Sequence, residues 1–552
     1  MKTYAKLIPM EEESNYRSER EKVQSRFRTT QIHNLIYSHR NIGNVDSFPC
    51  LKAPLKKMSL IHEPLNIDII DKQIDEIFLL FNKLDFKNGI QAQNMIHNKL
   101  MDSLKIIRKE LSKENITIND LQKLLNDKMN NFIELLINPF KDTNSPFIQL
   151  EIFWIINNVI YLTAKFNIDS NFDFHKIIFC LIQYMINIYK TQINDGVRNT
   201  LLEKIMRILG NMLYINNSLL EMIINNQIIP FIIGCLNTSI SSFRTTCLWL
   251  LNKILAILQK NGVTKQFIKN FNNKDAISNY KFIMSRLENQ RSFDEMGEFF
   301  WLLNEIAKYD LNVISLIFFQ EKNNNNNNEV TIKNFYIILD NSLSAKMCQP
   351  CFRLVTNILV VCYSLFGNEI ILNKLIETIY SRQNIMLFIQ DILNSPKNKY
   401  DFSLVKDIIL LIFNLMSFNP AKTCINFKKG IINLIVDKNY REDNILTKLL
   451  FFVYYKMMTE KKFIFESEDE NVIKVCLEMI ANFKNDESSL IIFIDLLYFY
   501  LKFKGCNLEG EIENGMKFFI GNKGIGIQQY QEMIVKLYNI IQIQIPNFYL
   551  VQ

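Results

Sequence analysis

The sequence predicts an all-α protein, a solenoid of stacked helices, and three observations support that prediction. Only 15 glycines and 11 prolines occur in 552 residues, too few for the many corners of an α/β or all-β chain of this length. Hydrophobic residues make up 48% and aromatic residues 12%, which supplies a large core and excludes a disordered composition. Apolar segments of helical length alternate with short polar breaks along most of the chain.

The first 50 residues differ from the rest of the chain because they are polar and basic. Six cationic side chains lie between positions 17 and 40: Arg17, Arg20, Lys22, Arg26, Arg28 and Arg40. The segment has no apolar stretch of the ~7–15 residues that a signal peptide requires. We therefore predict a basic N-terminal arm over residues 1–50, followed by a helical region from residue 60 to residue 552.

The helical segments are apolar on almost every side. Representative stretches are EIFWIINNVIYLTAKF (151–166), TLLEKIMRILGNMLYI (200–215), TCLWLLNKILAILQK (246–260) and KDIILLIFNLMSF (406–418). Such helices are covered by neighbours on several sides, as in the inner layer of a helical stack. The low-complexity tract from Asn323 to Asn328 cannot bury itself and predicts a loop insertion near residues 321–330.

A tryptophan–asparagine pattern recurs along these segments. The chain has three tryptophans, Trp154, Trp249 and Trp301, and each has an asparagine three places on. Asparagines at comparable mid-helix positions are Asn158, Asn211, Asn252, Asn304, Asn357 and Asn414, at intervals of 53, 41, 52, 53 and 57 residues. Two- and three-helix solenoid repeats run ~40–47 residues, so one interval fits and the others indicate loop insertions.

Two interpretations of this pattern remain open. Asparagine is a poor helix former and must be hydrogen-bonded when buried, so each amide can bond the neighbouring repeat and hold the stack in register. Alternatively, the asparagines form a ladder on a concave surface that clamps the backbone of an extended peptide. Tryptophan rings between them would then hold the stems of lysine or arginine side chains, with a cation–π energy of ~0.5–2 kcal/mol.

Composition and charge exclude several classes of function. The 63 basic and 56 acidic residues give a formal charge of +7, too mild for a nucleic-acid-binding protein of this length. The ten cysteines lie mostly within apolar runs, as reduced buried thiols do, which favours the cytosol or the nucleus over secretion. No apolar stretch reaches ~18 residues without a charge or an asparagine, so membrane insertion is not expected.

No set of residues indicates an enzyme. The five histidines lack a metal-like i,i+4 partner. Cys348 and Cys351 form a lone CxxC pair that fits the start of a helix better than a redox site. The segment GNKGIG (521–526) lacks the order of a phosphate-binding loop, and the acidic patch ESEDEN (466–471) predicts a solvated loop. We therefore expect recognition rather than catalysis, with no cofactor and no metal.

Several motifs resemble the importin-α family in both residues and order. The stretch SPFIQLEIFWIINN (145–158) is similar to the family's S-P-x-Q-F-E-x-x-W-A-L-T-N, with one extra residue after the proline. RTTCLWLLN (244–252) resembles R-N-A-T-W-T-L-S-N, and PCFRLVTNIL (350–359) resembles P-A-L-R-A-V-G-N-I-V. Residues 17–42 look like a diverged importin-β-binding segment that ends in RNI, where the family has R-R-N-I.

This resemblance implies an armadillo-repeat solenoid, a right-handed superhelix of about nine or ten repeats, that acts as a nuclear import adaptor. A concave groove would bind basic nuclear localisation signals, and the arm would link the cargo to importin-β. The implied groove residues are Trp154, Asn158, Asn211, Trp249, Asn252, Trp301, Asn304, Arg353, Asn357 and Asn414. The protein would shuttle between cytoplasm and nucleus, and the acidic patch is a candidate contact for an export factor.

The chain departs from the family at two positions of the groove. Arg207 stands where the family has a tryptophan, and Ile215 stands where the family has an acidic residue. One alternative is an armadillo or HEAT-type scaffold that binds another partner and has no transport role. A second is an enzyme or regulatory subunit with helical repeats, which predicts a pocket of titratable residues that the sequence does not indicate. The scaffold predicts that Trp154 and Asn158 point into the core, whereas the adaptor predicts that they face a groove.

Overall fold

The computed structural model is all-α, without a strand, in the residues that it describes. These are residues 65–83, 90–113, 116–125, 127–137, 145–166, 173–190, 195–287, 292–319, 327–343, 347–366, 369–395, 402–460, 463–480 and 487–506, with short pieces between 508 and 540. They divide into two compact units, one ending at Val313 and the other beginning at Ile314. The predicted arm and its six cationic side chains lie outside the described residues.

The helices of the first unit follow one another closely. They are α1 (Ile67–Lys83), α2 (Ile90–Leu111), α3 (Ile118–Leu124), α4 (Asp127–Ile137), α5 (Pro146–Phe166), α6 (Phe174–Lys190), α7 (Asp195–Ile215), α8 (Leu220–Asn225), α9 (Ile228–Cys235), α10 (Ser241–Lys260), α11 (Thr264–Phe267), α12 (Lys274–Leu287) and α13 (Phe293–Ala307). Short 3-10 turns cover Asn217–Leu219 and Ile268–Asn270. Helix α14 (Asn312–Phe318) contains the boundary between the units.

The helices of the second unit also follow one another closely along the chain. They are α15 (Asn327–Asn341), α16 (Cys348–Val361), α17 (Glu369–Ser381), α18 (Gln383–Asn394), α19 (Phe402–Phe418), α20 (Pro420–Val436), α21 (Asn444–Met458), α22 (Asp469–Ile480) and α23 (Glu487–Phe503). A π-helical turn covers Cys362–Phe366, and a 3-10 turn covers Lys438–Glu442. The four apolar stretches noted in the sequence lie within α5, α7, α10 and α19, so their helical assignment is confirmed.

Each unit has two layers of helices. In the first unit α2, α5, α7, α10 and α13 pack side by side in that order, and we call them the inner layer. Helices α1, α4 and α6, and then α9 and α12, pack in order in the other layer. In the second unit α16, α19, α21 and α23 form one layer, opposite α18, α20 and α22. A helix between two neighbours and a second layer must be apolar on most sides, which explains the composition of the inner helices.

Local sequence signals set several helix ends. The Thr117 hydroxyl accepts a hydrogen bond from the Asp120 amide at 3.2 Å, and the Asp120 carboxylate accepts one from the Thr117 amide at 3.1 Å, which caps α3. Asp443 accepts two amide hydrogen bonds at the start of α21, at 3.0 and 2.9 Å. Gly262 ends α10 with a φ of +71°, a conformation that favours glycine. These residues satisfy backbone groups that a helix end leaves unpaired.

Two expectations about loops need correction. Helix α15 begins at Asn327, so the last two asparagines of the 323–328 run are helical, while residues 321–326 lie outside the described residues. In the acidic patch, Asp469 is fully buried at the start of α22. It accepts hydrogen bonds from the Tyr454 hydroxyl at 2.6 Å and from Lys428 Nζ at 2.7 Å. A carboxylate with two such donors is stable in the core, so this part of the patch is not a solvated loop.

One helix among the described residues, α5, is long and apolar enough to cross a membrane. Its most apolar window is 61% buried inside the protein, where α2 and α7 pack against it. A buried core helix has the same length and composition. The pattern is therefore explained by packing within the unit.

Candidate functional site

The inner layer of the first unit presents a narrow, half-buried line of polar and aromatic side chains. Because residues three or four apart share one face of a helix, each inner helix contributes a few members to this line. We call the following residues the inner stripe: Arg108 of α2, Trp154 and Asn158 of α5, Lys204, Arg207 and Asn211 of α7, and Lys253 of α10. The stripe therefore contains three of the predicted groove residues, and Trp154 and Asn158 do not point fully into the core.

The ring of Trp154 is covered by cations of this chain. Lys204 Nζ lies 3.5 Å from the ring centroid, and the guanidinium carbon of Arg108 lies 5.8 Å from it. The two cations come from α7 and α2, the helices on either side of α5. Arg108 also forms an ion pair of 2.6 Å with Glu151, one turn before Trp154. The aromatic face that the sequence assigns to a peptide lysine thus already contacts a lysine.

Positive charge is concentrated around Lys204. Burial and the nearby charge of Arg207 lower the pKa of Lys204 to about 7, and Arg108 acts in the same direction, against Glu203 and Glu151. Arg207 pairs with Glu203 at 2.6 Å within α7. Because a buried ammonium group beside like charges loses its proton more easily, Lys204 changes charge near neutral pH.

The stripe asparagines bind neighbouring helices. Asn158 Nδ2 donates a hydrogen bond of 3.1 Å to Ser112 Oγ, just beyond α2. Asn211 Nδ2 donates one of 3.1 Å to Asn157 Oδ1 of α5. These bonds link α5 to the segment after α2 and α7 to α5, which is the role of holding repeats in register. Both asparagines remain half-buried.

Asn252 and Asn304 lie deeper than the sequence pattern predicts. Their exposed fractions are 5% and 1%, and Asn252 Nδ2 donates to the carbonyl and to a carboxylate oxygen of Glu298, each at 2.9 Å. Trp301 is also buried. An asparagine three residues after a tryptophan lies about 100° around the helix from one four residues after it, and Asn158 holds the four-residue position after Trp154. On α10 the residue at that four-residue position is Lys253, so the predicted groove positions on α10 and α13 are off the stripe.

Trp249 fits against α7 because residue 210 has no side chain. A Cβ added at Gly210 would collide with the Trp249 ring. Lys253 Nζ lies 5.0 Å from the Trp249 centroid and 5.0 Å from that of Tyr214. The ring therefore fills the space between α7 and α10, and its exposed fraction is only 9%.

Gly210→Ala is expected to displace the Trp249 ring and to lower the free energy of unfolding by about 1–3 kcal/mol, because overpacking forces strained rotamers. The better helix propensity of alanine offsets up to about 1 kcal/mol of this loss. With Trp154→Phe and Trp301→Phe in the background, Trp249 fluorescence alone reports the change as a red shift. Gly234→Ala is the matched control, because a Cβ at Gly234 meets nothing within 4 Å. An unchanged spectrum and midpoint would contradict this packing.

A buried ion pair joins α10 to α13. Arg244 and Glu295 are each about 1% exposed. Arg244 Nε donates to Glu295 Oε1 at 2.5 Å, and Nη2 donates to Oε2 at 2.8 Å. Arg244 Nη1 also donates to the Thr238 carbonyl at 2.6 Å, and the Ser241 hydroxyl donates to Glu295. A bidentate pair of this geometry restricts both the distance and the orientation between its two partners. It therefore fixes the position of α10 relative to α13.

In the second unit the predicted groove residues lie on α16 and α19. Arg353 Nε and Nη2 donate to the two carboxylate oxygens of Asp407, at 3.0 and 3.2 Å. Asn357 is half-buried one turn further along α16. Asn414 Nδ2 donates to the Leu410 carbonyl of its own helix at 2.8 Å. Arg353 therefore links α16 to α19, the same kind of contact that Arg244 makes in the first unit.

The surroundings of Cys348 and Cys351 do not favour the reactive thiolate form. Cys348 and Cys351 are buried at the start of α16, as predicted for a helix N-terminus. Burial raises the pKa of Cys348 to about 12 and raises that of Cys351 well above its ordinary value, and a protonated thiol is a poor nucleophile. In the part of the chain that the structure describes, no three His, Cys, Asp or Glu side chains are placed to hold a metal ion.

Sequence reasoning missed the cations that cover the aromatic rings. Lys253 follows Trp249 by four residues, so the i,i+4 rule was enough to find it. Lys204 and Arg108 reach Trp154 from helices about 50 residues away in the chain, and no local pattern signals such a contact. The contact between Gly210 and Trp249 could not be predicted from a local pattern either, because the two residues lie in different helices.

Comparisons with known proteins identify a shared fold only. No family model matches the chain, and no curated protein matches it significantly. The crystal structure of an engineered protein from the Northeast Structural Genomics Consortium is 12% identical, with a TM-score of 0.50 over 86% of this chain and 99% of that one. Two further engineered proteins from the consortium are 13% and 11% identical, with TM-scores of 0.34 and 0.33, and match 52% of this chain and 97% and 98% of theirs. The first likeness supports an all-α helical-repeat fold.

Proposed function

We propose that this chain is a binding adaptor of the armadillo-repeat type, which holds an extended polypeptide along the inner stripe and performs no catalysis. One observation carries the proposal. Trp154 with Asn158, and Arg207 with Asn211, occupy equivalent half-buried positions on the adjacent helices α5 and α7. Amide groups beside large flat side chains match the alternating backbone and side-chain groups of an extended peptide.

The resemblance to importin-α supports a transport role for this adaptor. In that role the solenoid is a right-handed superhelix of about nine or ten armadillo repeats, the stripe is part of a groove for basic localisation signals, and the N-terminal arm binds importin-β. The protein then shuttles between cytoplasm and nucleus, and an export factor returns it. The half-buried positions of Trp154, Asn158 and Asn211 favour this role.

A scaffold that binds a different partner, without transport, is the second candidate. The 3.5 Å contact between Lys204 and the Trp154 ring favours it. A lysine from a basic signal would have to displace Lys204 from the ring and enter a region where Arg108 and Arg207 repel it. The two candidates share the same surface and differ in the charge of the ligand.

Titration of the full chain with fluorescently labelled peptides of basic, neutral and acidic composition tests the proposal. Saturable binding that weakens about tenfold in the Trp154→Ala, Asn158→Ala double variant is the expected result, since two hydrogen-bonding or stacking contacts are lost. Phe179→Ala with Asn187→Ala is the matched control, because both side chains are exposed on α6 in the other layer. If no peptide binds, or if the double variant binds as well as the control variant, the proposal is wrong.

Binding of importin-β tests the transport role separately. The full chain should retain importin-β in a pull-down, and the Arg17→Ala, Arg20→Ala, Arg26→Ala, Arg28→Ala variant should lose it, because the arm makes charge-assisted contacts. If importin-β is retained without these arginines, or is not retained at all, the scaffold without a transport role is the better supported function.

A further inference from the structure

The face of the Trp154 ring is occupied by a flexible side chain of this chain. Lys204 reaches the ring from α7, with its Nζ 3.5 Å from the ring centroid. Both residues are half-buried, so part of each remains accessible to solvent. A lysine side chain is a flexible four-carbon stem with one charged end, and a cation–π contact at a partly exposed site is weak enough for a ligand to break.

The second cation over this ring is held more firmly. The guanidinium carbon of Arg108 lies 5.8 Å from the ring centroid, and Arg108 forms an ion pair of 2.6 Å with Glu151. The other carboxylate that acts on Lys204 is Glu203, which pairs with Arg207 at 2.6 Å. Among the described residues, Lys204 is therefore the cation over this ring that can leave without breaking a salt bridge.

We infer that Lys204 is a movable cover of the Trp154 ring, and that a neutral side chain with a flat face, from proline or an aromatic residue of the bound peptide, packs on this ring by displacing Lys204 into solvent. The inference rests on the proposed function and specifies one side chain of its ligand. Rings of these residues stack on an indole face through dispersion and burial of apolar surface.

The charges around the ring favour a neutral side chain. Two arginines and two carboxylates act on the position of Lys204: Arg108, Arg207, Glu151 and Glu203. Each arginine is paired with one of the carboxylates. A charged ligand side chain of either sign would therefore lose hydration on the half-buried ring without gaining an unpaired partner there. A neutral side chain has no such cost.

Displacement of Lys204 is coupled to the uptake of a proton. On the ring, burial and the charge of Arg207 lower the pKa of Lys204 to about 7, whereas a solvated lysine has a pKa of ~10.4. Lys204 is therefore mostly neutral at pH 8 while it covers the ring, and it binds a proton when it enters solvent. Binding of the peptide should consequently tighten as the pH falls from 9 to 7.

Other charged groups lie near α7, and one variant separates their effects from that of Lys204. The helices α5, α6 and α10 pack against α7. Besides the four groups that act on Lys204, the charged or titratable side chains on α6 and α10 include exposed His175, Lys176 paired with Glu134, Arg244 paired with Glu295, and Lys253 over the Trp249 and Tyr214 rings. Lys204→Arg keeps all of these groups and stays charged at every pH.

The test is a titration of the full chain, between pH 7 and pH 9, with a labelled, end-capped peptide of proline, phenylalanine and other uncharged residues. The parent should bind at least about tenfold more tightly at pH 7 than at pH 9. Lys204→Ala removes the cover, so it should bind at least as tightly as the parent does at pH 7, with less than about a twofold change over this range. Lys265→Ala is the matched control at an exposed position of α11 and should keep the pH dependence of the parent.

Calorimetric titration in two buffers of different ionisation enthalpy supplies a second readout, because it counts the protons that binding takes up. At pH 8 the parent should take up about one proton per bound peptide, and Lys204→Ala and Lys204→Arg should take up none. A purely structural role of Lys204 would change the affinity without this difference in proton uptake.

The outcomes separate this inference from the proposed function. Binding of the neutral peptide without proton uptake, or with uptake that persists in Lys204→Ala, overturns the inference. The proposed function then still holds if Trp154→Ala with Asn158→Ala weakens the binding. Tighter binding of a basic or an acidic peptide overturns the neutral side chain in the same way. If no peptide of any charge binds the parent or Lys204→Ala, the proposed function fails, and the inference fails with it.

Discussion

Glu295→Ala is expected to lower the free energy of unfolding by about 3–5 kcal/mol, the largest effect among the changes considered. The substitution leaves Arg244 charged, about 1% exposed and without its bidentate partner, and an unpaired buried charge carries a high desolvation cost. The loss should appear in the urea midpoint and, by hydrogen exchange, as faster opening of α10 and α13, the helices that the pair joins.

Two further variants test whether the loss of stability comes from leaving the buried charge of Arg244 unpaired. Glu134→Ala removes an ion pair with Lys176 of 3.0 Å whose partners are 51% and 40% exposed, and it should cost less than about 1 kcal/mol. Arg244→Met with Glu295→Leu removes both charges and should recover most of the stability. If Glu295→Ala lowers the free energy of unfolding no more than Glu134→Ala does, the Arg244–Glu295 pair does not hold α10 and α13 together.

Asp495→Asn is expected to stabilise the second unit above neutral pH. Asp495 of α23 is 5% exposed, and its Oδ1 is buried without a hydrogen-bond partner. Burial raises its pKa to about 6, against the opposing effect of a hydrogen bond with Tyr455. The folded protein thus holds this proton more tightly than the unfolded chain does. The resulting stability is complete below about pH 4 and is lost as the pH rises through 6. Since asparagine stays neutral, the variant should be about 1–3 kcal/mol more stable than the parent at pH 8.

Urea unfolding at pH 4 to pH 8 checks this prediction. The difference between parent and variant should be small near pH 4 and should grow between pH 5 and pH 7, where the carboxylate forms in the parent. Glu377→Gln, at an exposed position of α17, should give a difference that does not grow in this way. A variant that is less stable than the parent at pH 8 would show that the charged form of Asp495 is favourable in the fold.

The fold was more predictable from sequence than the site. Helices such as α5, α7 and α10 follow from apolar periodicity and from the shortage of glycine and proline, which are local properties. The loop expected at Asn327 and Asn328 was wrong for those residues, because polar composition alone does not exclude the first turn of a helix. The acidic neighbours of Asp469 predicted an exposed position for it. Asp469 is buried because Tyr454 and Lys428, on other helices, donate hydrogen bonds to its carboxylate.

The candidate site could be predicted only in part. Trp154, Asn158 and Asn211 lie on the inner stripe, because the four-residue spacing on α5 and the matching position on α7 keep them on one face. Asn252 and Asn304 are buried, and each lies three residues after a tryptophan, about 100° around the helix from the four-residue position that Asn158 holds. One residue of register therefore separates a surface position from a core position.

The amino-acid sequence by itself determined that this chain is helical, where many of its helices lie, and which faces carry tryptophan and asparagine, because these depend on residues close together in the chain. Only the tertiary structure decided that Lys204 and Arg108 cover Trp154, that Gly210 admits Trp249, and that Arg244 and Glu295 meet. Each of these contacts joins helices that are separated by about 40 to 50 residues. Their geometry follows from the packing of the layers, which no local pattern specifies.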